Sequence, residues 1–483
     1  MKLFSTIIVL SFVFILTACA ACTDPDISGT LPPQPSQEKY TVKVRKVGNS
    51  QEWQALQVKT ATVDKHNVRT SYFVQFDMTS AMEVMVTYGE KSIRKVNIRP
   101  TDKNIAYTQE GNSIYFNLDN PAYLSIEFND DRFGNLQLFA DKAAEEQVFP
   151  DTEGVMYLGP GEHGNSNDDI VWIPGNTTVY LDKDAILTYS LKIANVENVR
   201  VIGRGQIRQP KNHAIIVENS KHVEIDGITI VDPNGASILV GQTTDVTIRN
   251  LKSFSSIIWG DGINMRSSSD ITIDNLYMRN SDDCIAIYAS RQGSLGDSRN
   301  ISVRNSVLWA DNAHPINIGT HGDATRPGGD TIENLTFTNI DVLDHHELSP
   351  IYQGCFAVTC GDNNTVRKLL FEDFRVENIE EGKLFYFAVQ QNTGEDNLVP
   401  GRTIEDVTIR NIFYNPEYPG RNKVGKSLVK GFDSERLTRD LVKRSLSNPF
   451  TRDVTIENVI INGEKMVRED LEINEFVENL TVK

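Results

Sequence analysis

Apolar and polar residues alternate over short stretches along most of the chain, a period typical of half-buried β-strands rather than of helices. Before Pro150 these stretches are separated by turn residues such as those at 119–121 and 130–131. They cover residues 40–47, 71–76, 82–88, 113–118, 123–128 and 136–140. Strands of this length and spacing predict an antiparallel β-sandwich domain over residues 39–150.

After Pro150 a short motif recurs, in which Asn or Asp is followed by alternating apolar and polar residues and then by Asn, Asp or Gly. Its copies begin at Asn198, His222, Asp245, Asp270, Asn300, Asn334, Asp406 and Asp453. The first four copies start 23 to 25 residues apart. Because one copy cannot bury its apolar face alone, this period predicts a solenoid with a continuous core. The leucine-rich frame is missing, so we expect an all-β chain in which residues 151–483 form a right-handed parallel β-helix.

The first residues of the chain predict a targeting signal. An apolar run at 3–16 follows Lys2, is too short to span a bilayer, and ends in Leu16-Thr17-Ala18-Cys19. This ending resembles the lipobox of bacterial lipoproteins, with an ordinary secretory signal as the alternative. We therefore expect a signal peptide at 1–18, lipidation of Cys19, and a Pro-rich tether at 19–38. The protein would then be lipid-anchored in a bacterial cell envelope, on the periplasmic side or the cell surface.

The composition narrows the possible partners. With 48 Lys and Arg against 65 Asp and Glu, the formal net charge is −17, which disfavours nucleic acid. No cysteine spacing matches a zinc site, and whether Cys355 and Cys360 pair stays open. The sequence predicts no cofactor and no resident metal, and it leaves the oligomeric state undetermined.

Three acidic residues stand out from the acids at the repeat corners. Asp261 lies about one coil before the adjacent pair Asp282 and Asp283. One coil of separation places residues above each other on the same wall of a solenoid, so the three carboxylates should converge. Close carboxylates repel, so one pKa should rise while the others stay ionised, as general acid–base cleavage of a glycosidic bond requires. A calcium site is the main alternative.

The same residues resemble a known active-site pattern. Asp261-Gly262, Asn280-Ser281-Asp282-Asp283 and residues 285–288 (Ile-Ala-Ile-Tyr) are similar to the motifs of two related groups of β-helical glycosidases. These groups are family 28, the polygalacturonases, and family 49, the dextranases and isopullulanases, and both are inverting hydrolases. The resemblance implies that Asp282 is the general acid and that Asp261 and Asp283 activate the water.

Some features of the sequence are similar to family 28 and others to family 49. The residues around Asp283, and His314 within 313–319 (Ala-His-Pro-Ile-Asn-Ile-Gly), are similar to family 28. The lack of an Arg-Ile-Lys motif after His314, the Tyr at 288 and the β-sandwich ahead of the β-helix are similar to family 49. We therefore expect a dextranase-like enzyme that cleaves a neutral polysaccharide or oligosaccharide. The alternatives are a polygalacturonase-like pectin hydrolase, a polysaccharide lyase and a non-catalytic glycan-binding lipoprotein.

Further residues near these motifs are candidates for substrate binding: His314, Trp259, Tyr288, Arg291 and His321. Trp259 precedes Asp261 by two residues, which predicts the same strand face and stacking on a sugar ring. Tyr288 is a candidate for the same role. Arg291 follows the strand after Asp283 and suits a hydroxyl or a carboxylate. The resemblance implies a site role for His314, and His321 is expected to line the cleft.

Overall fold

The computed structural model describes residues 39–48, 52–144, 148–164, 169–391, 399–416, 422–433 and 449–483. The predicted signal peptide, Cys19 and the tether lie outside these ranges. Across the described part of the chain, no helix combines the length and the apolar character needed to cross a membrane. The helical elements there include two short 3₁₀ turns, Thr101–Lys103 and Arg468–Asp470.

The N-terminal strands form two packed five-stranded sheets. They are β1 Tyr40–Lys46, β2 Gln54–Leu56, β3 Lys59–Val63, β4 Arg69–Met78, β5 Met82–Tyr88, β6 Val96–Arg99, β7 Tyr107–Glu110, β8 Ser113–Leu118, β9 Ala122–Phe128 and β10 Leu136–Lys142. The sheet orders are β2-β1-β5-β8-β7 and β3-β4-β10-β9-β6. Alternate side chains, such as Val42, Val84 and Leu138, are buried in a shared core, which is the predicted sandwich. One pairing departs from the antiparallel pattern, since β10 runs parallel to β4.

The remaining strands wind into stacked coils, and the larger of the two coil sheets has 19 described strands. They are β11 Val155–Leu158, β12 Gly161–His163, β14 Thr178–Leu181, β15 Ala185–Leu187, β17 Glu197–Gly203, β18 Gln206–Arg208, β20 Lys221–Asp226, β21 Thr229–Val231, β23 Thr244–Arg249, β24 Lys252–Phe254, β26 Ser269–Asp274, β27 Tyr277–Asn280, β29 Ser298–Ala310, β31 Thr331–Asp344, β33 Thr365–Val376, β35 Thr403–Tyr414, β38 Thr451–Ile461, β39 Glu464–Lys465 and β41 Val477–Val482.

The second coil sheet has 12 described strands and carries the residues of interest. They are β13 Ile170–Trp172, β16 Ser190–Ala194, β19 Ile215–Glu218, β22 Ile238–Gly241, β25 Ile263–Arg266, β28 Ile285–Tyr288, β30 Ile316–Gly319, β32 Gly354–Cys360, β34 Glu381–Val389, β36 Lys423–Gly425, β37 Ser427–Lys430 and β40 Leu471–Ile473. Its strands pair in parallel from coil to coil, as the predicted right-handed parallel β-helix requires.

The repeat motif explains the coils. Its apolar positions point inward and stack in register, as Ile225, Ile248 and Ile273 do on three successive coils. The corner residues Asn250 and Asn275 adopt left-handed backbone, with φ of 53° and 57°. The side-chain amide of Asn275 donates to Asn250 Oδ1 of the preceding coil at 2.7 Å. The corner Asn residues therefore bond to each other from coil to coil through their side chains.

The sandwich packs against the larger coil sheet through buried aromatic rings and paired charges. Phe73 and Phe139 lie in one apolar cluster with Phe254, Tyr277 and Trp309 of the coils. Two ion pairs of fully buried cations join the sandwich to the coils: Lys252–Asp141 at 2.5 Å and Arg99–Glu377 at 2.6 Å. Because a buried charge is costly without its partner, these pairs fix the sandwich in one position on the β-helix.

The described cysteines are buried thiols. Cys284, Cys355 and Cys360 are free, so Cys355 and Cys360 form no disulfide in this structure. Burial raises the pKa of Cys355 well above its usual range, which keeps the thiol protonated and unreactive.

Candidate active site

Three successive strands of the second coil sheet present polar residues at their amino ends. Ile263 of β25 is in register with Ile285 of β28, which is in register with Ile316 of β30. The residues two positions before each of these, Asp261, Asp283 and His314, therefore lie in one column across three coils. The backbone continues this stacking, because the Cys284 N–H donates to the His314 carbonyl at 2.8 Å.

The stacking requires Gly at position 262. The Gly262 N–H donates to the Asp283 carbonyl at 2.8 Å. A Cβ at this position would lie 2.3 Å from the Cys284 carbonyl oxygen. A side chain at Gly262 would therefore push apart the two coils that carry the acids.

The column and the neighbouring Asp282 bring three carboxylates together. One oxygen from each of Asp261, Asp282 and Asp283 lies within 4.8 Å of the others. Asp261 and Asp283 are buried, and Asp282 is partly exposed. Asp282 is therefore the acid that an approaching ligand reaches first.

Asp283 is held by hydrogen bonds to both of its carboxylate oxygens. The ring nitrogen Nδ1 of His314 lies 2.6 Å from Asp283 Oδ1. The Asn317 amide and the Tyr288 hydroxyl donate to Oδ2 at 2.7 and 3.2 Å. Burial opposes the ionised form, but the charge and hydrogen bond of His314 outweigh it and lower the pKa of Asp283. The same pairing raises the pKa of His314 to about 9, although burial acts in the opposite direction.

The other two acids are shifted in the opposite direction. Burial, followed by the charges of Asp282 and Asp283, raises the pKa of Asp261 well above its usual range. Burial and the charge of Asp283 also raise the pKa of Asp282, although an ammonium from Lys65 acts against them. Asp282 accepts hydrogen bonds from the backbone N–H groups of Trp259 and Asp283, both at 3.1 Å. Asp283 is thus the ionised member of the cluster, and Asp261 and Asp282 are the members that can carry a proton.

Carboxylates at this spacing can either share a proton or bind a hard cation. Two cationic side chains already contact the cluster, His314 on Asp283 and Lys65 at 3.7 Å from Asp282. They supply the compensating charge that a calcium ion would otherwise bring. The donor set therefore fits proton transfer better than metal binding.

Trp259 and Tyr288 differ in their exposure. Trp259 lies in a turn with φ of 62°, so the strand face expected for it is wrong. The residue is nevertheless 71% exposed, and its backbone N–H donates to the Asp282 carboxylate. Tyr288 is buried, with Arg291 4.3 Å from its ring centre and His321 packed against its edge. Only Trp259 of this pair offers a free ring face to a sugar.

Arg291 and His321 line the same cluster. Arg291 Nε and His321 Nδ1 are buried without a hydrogen-bond partner among the described residues. Burial and the charges of Arg291 and Arg266 lower the pKa of His321 to about 3, which keeps its ring neutral. Arg266 is buried and donates to Asn264, whose amide donates to Asp261 at 2.5 Å. Two guanidinium groups therefore lie near the acids, Arg266 on β25 and Arg291 in the loop after β28.

Sequence reasoning missed several members of this site. Asn264 and Asn317 occupy equivalent positions of β25 and β30, in register with Ala286 between them. That register could have identified them, because residues at one level of neighbouring coils share a face. Arg266 could have been found in the same way from its register with Tyr288. Lys65 carried no such signal, since it comes from the sandwich, more than 200 residues away along the chain.

A known protein family matches the part of the chain that carries the acid cluster. The sequence model of glycosyl hydrolases family 28 matches residues 159–415, more than half of the chain and all of the acid cluster. The chain belongs to this family. One protein of similar sequence is a probable endopolygalacturonase C of Aspergillus aculeatus, which is 24% identical to this chain over 197 residues. That match covers 40% of this chain and 45% of the relative.

A second relative of this family 28 chain is a probable endo-xylogalacturonan hydrolase A of Neosartorya fischeri. It is 22% identical over 236 residues, covering 47% of this chain and 50% of that protein. The chain thus spans about half the length of each of these two curated relatives.

Solved structures support the fold. Dex49A from Penicillium minioluteum matches with a TM-score of 0.52 and 13% identity, over 92% of this chain and 94% of that one. The family 28 exopolygalacturonase of Yersinia enterocolitica matches with a TM-score of 0.50 and 13% identity, over 88% and 98%. This family 28 chain therefore shares its fold with both groups of glycosidases that its sequence resembles.

Proposed function

We propose that this family 28 chain is an inverting glycoside hydrolase that cleaves a polysaccharide by acid–base catalysis. The observation that carries the proposal is the buried cluster of Asp261, Asp282 and Asp283, in which one carboxylate is held ionised and two can carry a proton. A glycan-binding protein without activity has no need for three converging acids. A lyase would need a free basic side chain at the position of the proton it removes, and the basic groups that contact this cluster, Lys65 and His314, form ion pairs with its acids.

In this mechanism Asp282 donates a proton to the glycosidic oxygen. It is the most accessible acid of the cluster and lies beside the exposed Trp259 ring, which can support the sugar. Asp283, the ionised member of the cluster, deprotonates the water on the opposite face, and Asp261 orients that water. The arrangement follows the division of labour in glycosidases, where one carboxyl group is an acid and another activates water.

Direct attack by water is supported by the way Asp283 is held. Both of its oxygens accept hydrogen bonds, from His314, Asn317 and Tyr288, which suits a fixed base better than an attacking nucleophile. The spacing argues the other way. Carboxylate oxygens within 4.8 Å are closer than the separation of about 6.5–9.5 Å usual in inverting enzymes. The configuration of the product is therefore the informative measurement.

The substrate class follows from the charge around the cluster. The expectation of a neutral glycan rested in part on the missing Arg-Ile-Lys motif, but Arg266 and Arg291 supply guanidinium groups near the acids from other positions. A guanidinium group is a good partner for a uronate carboxylate. Both relatives are named for galacturonan substrates. We propose a uronate-containing polysaccharide as the substrate, and a neutral glucan bound on Trp259 as the second candidate.

One experiment tests both statements. Purified protein is incubated with polygalacturonate, xylogalacturonan, dextran and pullulan, and proton NMR follows the first-formed reducing end. We expect faster cleavage of the uronate polymers than of the glucans, with inverted anomeric configuration. A product with retained configuration would contradict the roles of Asp261 and Asp283. Faster cleavage of dextran would return the neutral glycan to first place, and binding without any product would favour a glycan-binding protein.

The membrane anchor is a separate proposal that rests on the lipobox-like Leu16-Thr17-Ala18-Cys19. The mature protein is expected to begin at Cys19 and to sediment with membranes. Cys19→Ala should abolish acylation and move the protein to the soluble fraction or block its processing, whereas Cys22→Ala is the matched control and should behave as the wild type. Recovery of unacylated wild-type protein entirely in the soluble fraction would contradict the anchor.

A further inference from the structure

The loop between β3 and β4 of the sandwich, residues 64–68, lies on the β-helix beside the acid cluster. The Lys65 backbone N–H donates to Ser281 Oγ at 3.1 Å, next to Asp282 in the chain. The Lys65 ammonium lies 3.7 Å from Asp282 Oδ2. The two side chains are only 16% and 14% exposed. A residue of the sandwich therefore forms an ion pair with the candidate general acid.

The loop is held in place at its start. Just before it, the Thr62 N–H and hydroxyl donate to Asp232 Oδ1 at 3.0 and 2.6 Å, and the hydroxyl lies 2.7 Å from Ser256 Oγ. Within it, the Asn312 amide reaches Asp64 Oδ1 at 3.4 Å. Partners on several coils thus fix the backbone that carries Lys65, and the contact with Asp282 does not depend on one flexible side chain alone.

Carboxyl groups, phenols and an ammonium face Asp282. Asp261 and Asp283 are the neighbouring acids of the same cluster. Tyr288 and Tyr352 also face Asp282, and both phenols are neutral because burial raises their pKa values. Among the described residues, Lys65 is the cation within 4 Å of Asp282, since the ion pair to His314 is made by Asp283. The sandwich therefore supplies the positive charge nearest to this acid.

We propose that the sandwich completes the active site and that Lys65 is a positioning residue, which orients the Asp282 carboxyl and sets the pH at which it gives up its proton. The inference rests on the proposed function. It assigns the sandwich a part in catalysis. It also explains why the interface with the β-helix is fixed by buried ion pairs, because a loose sandwich could not hold an ammonium at a constant distance from the acid.

Removal of the Lys65 charge should move the pH dependence of kcat in one direction. An ammonium favours the ionised form of a nearby carboxylate, so its removal keeps Asp282 protonated to higher pH. In Lys65→Met the alkaline limb of the kcat profile should move upward by about one pH unit, the low end of the effect of an adjacent opposite charge. Lys65→Arg keeps the charge and should retain the wild-type limb. A purely structural role would lower activity at all pH values alike.

The control is a second lysine of the same interface. Lys103 lies 3.6 Å from Asp341 on β31 of the larger coil sheet, away from the strands that carry the acids. Lys103→Met removes an interface ion pair of similar length and should leave the pH profile unchanged. Thermal unfolding of both Met variants shows whether each folds, and Lys65→Gln serves if Lys65→Met does not.

A second readout does not depend on activity. Carbon-13 NMR of protein labelled at aspartate follows the Asp282 carboxyl, assigned with Asp282→Asn, and its titration midpoint should rise in Lys65→Met but not in Lys103→Met. An unshifted midpoint and an unshifted kcat limb would overturn the inference. Wild-type protein that cleaves no glycan would instead overturn the proposed function, while the titration would still decide whether Lys65 controls Asp282.

Discussion

Replacing Asp282 with Asn should reduce polysaccharide cleavage by at least about 10²–10⁴-fold, the usual contribution of a general acid. The amide keeps the size of the carboxyl group, and its single oxygen can still accept one of the N–H groups of Trp259 and Asp283, which bond to different oxygens of the carboxylate. It cannot donate a proton to the glycosidic oxygen. The loss should therefore appear in kcat, with little change in the stability of the fold.

The leaving group provides the sharper comparison. An aryl glycoside of the same sugar leaves with little need for protonation, so Asp282→Asn should retain much more activity on it than on the polymer. The matched control is Asp406→Asn, an exposed corner residue with φ of 57°, which Asn also accepts. An equal loss on both substrates would contradict the assignment of Asp282 as the acid.

Replacing Asp283 with Asn should reduce cleavage of the polymer and of the aryl glycoside alike, again by about 10²–10⁴-fold. Activation of water is needed whatever the leaving group, so an activated substrate cannot rescue the variant. Asp261→Asn should show the same insensitivity to the leaving group. Steady-state kinetics on the two substrates tests this, and selective rescue by the aryl glycoside would instead identify Asp283 as the acid.

Asp283→Asn should also destabilise the protein, because His314 loses the partner that keeps it charged. Loss of one member of a buried ion pair typically costs about 3–5 kcal/mol. The pKa of His314 is raised from about 6.5 to about 9, so its pairing contributes fully below pH 6.5 and is lost as the pH rises through about 9. The difference in thermal midpoint between wild type and variant should therefore be large near pH 6 and shrink by pH 10. A constant difference would show that the pair does not control stability.

Much of the architecture could be read from the chain. The Asn and Asp corners with inward Val and Ile predicted the stacked coils, because their spacing reports how far the chain travels before it returns to the same wall. The separate short strands before Pro150 predicted the sandwich in the same way. The parallel pairing of β4 with β10 could not be predicted, because local alternation does not encode which strands become neighbours.

The acid cluster was also accessible to sequence reasoning. Coil spacing placed Asp261 near Asp282 and Asp283, and the family 28 resemblance placed His314 with them. The substrate class shows the limit of that reasoning. The missing Arg-Ile-Lys motif favoured a neutral glycan, whereas Arg266, which no motif marked, lies near the acids in the folded chain.

The sequence by itself determined what repeats and what lies one coil apart, since in a solenoid distance along the chain translates directly into position. Only the tertiary structure decided which acid is held ionised and which meets a cation. The pKa of a buried carboxyl depends on groups within a few ångströms, and some of those come from a separate domain. Lys65 reaches Asp282 because aromatic packing and buried ion pairs fix the sandwich on the coils, a relation that no spacing in the chain records.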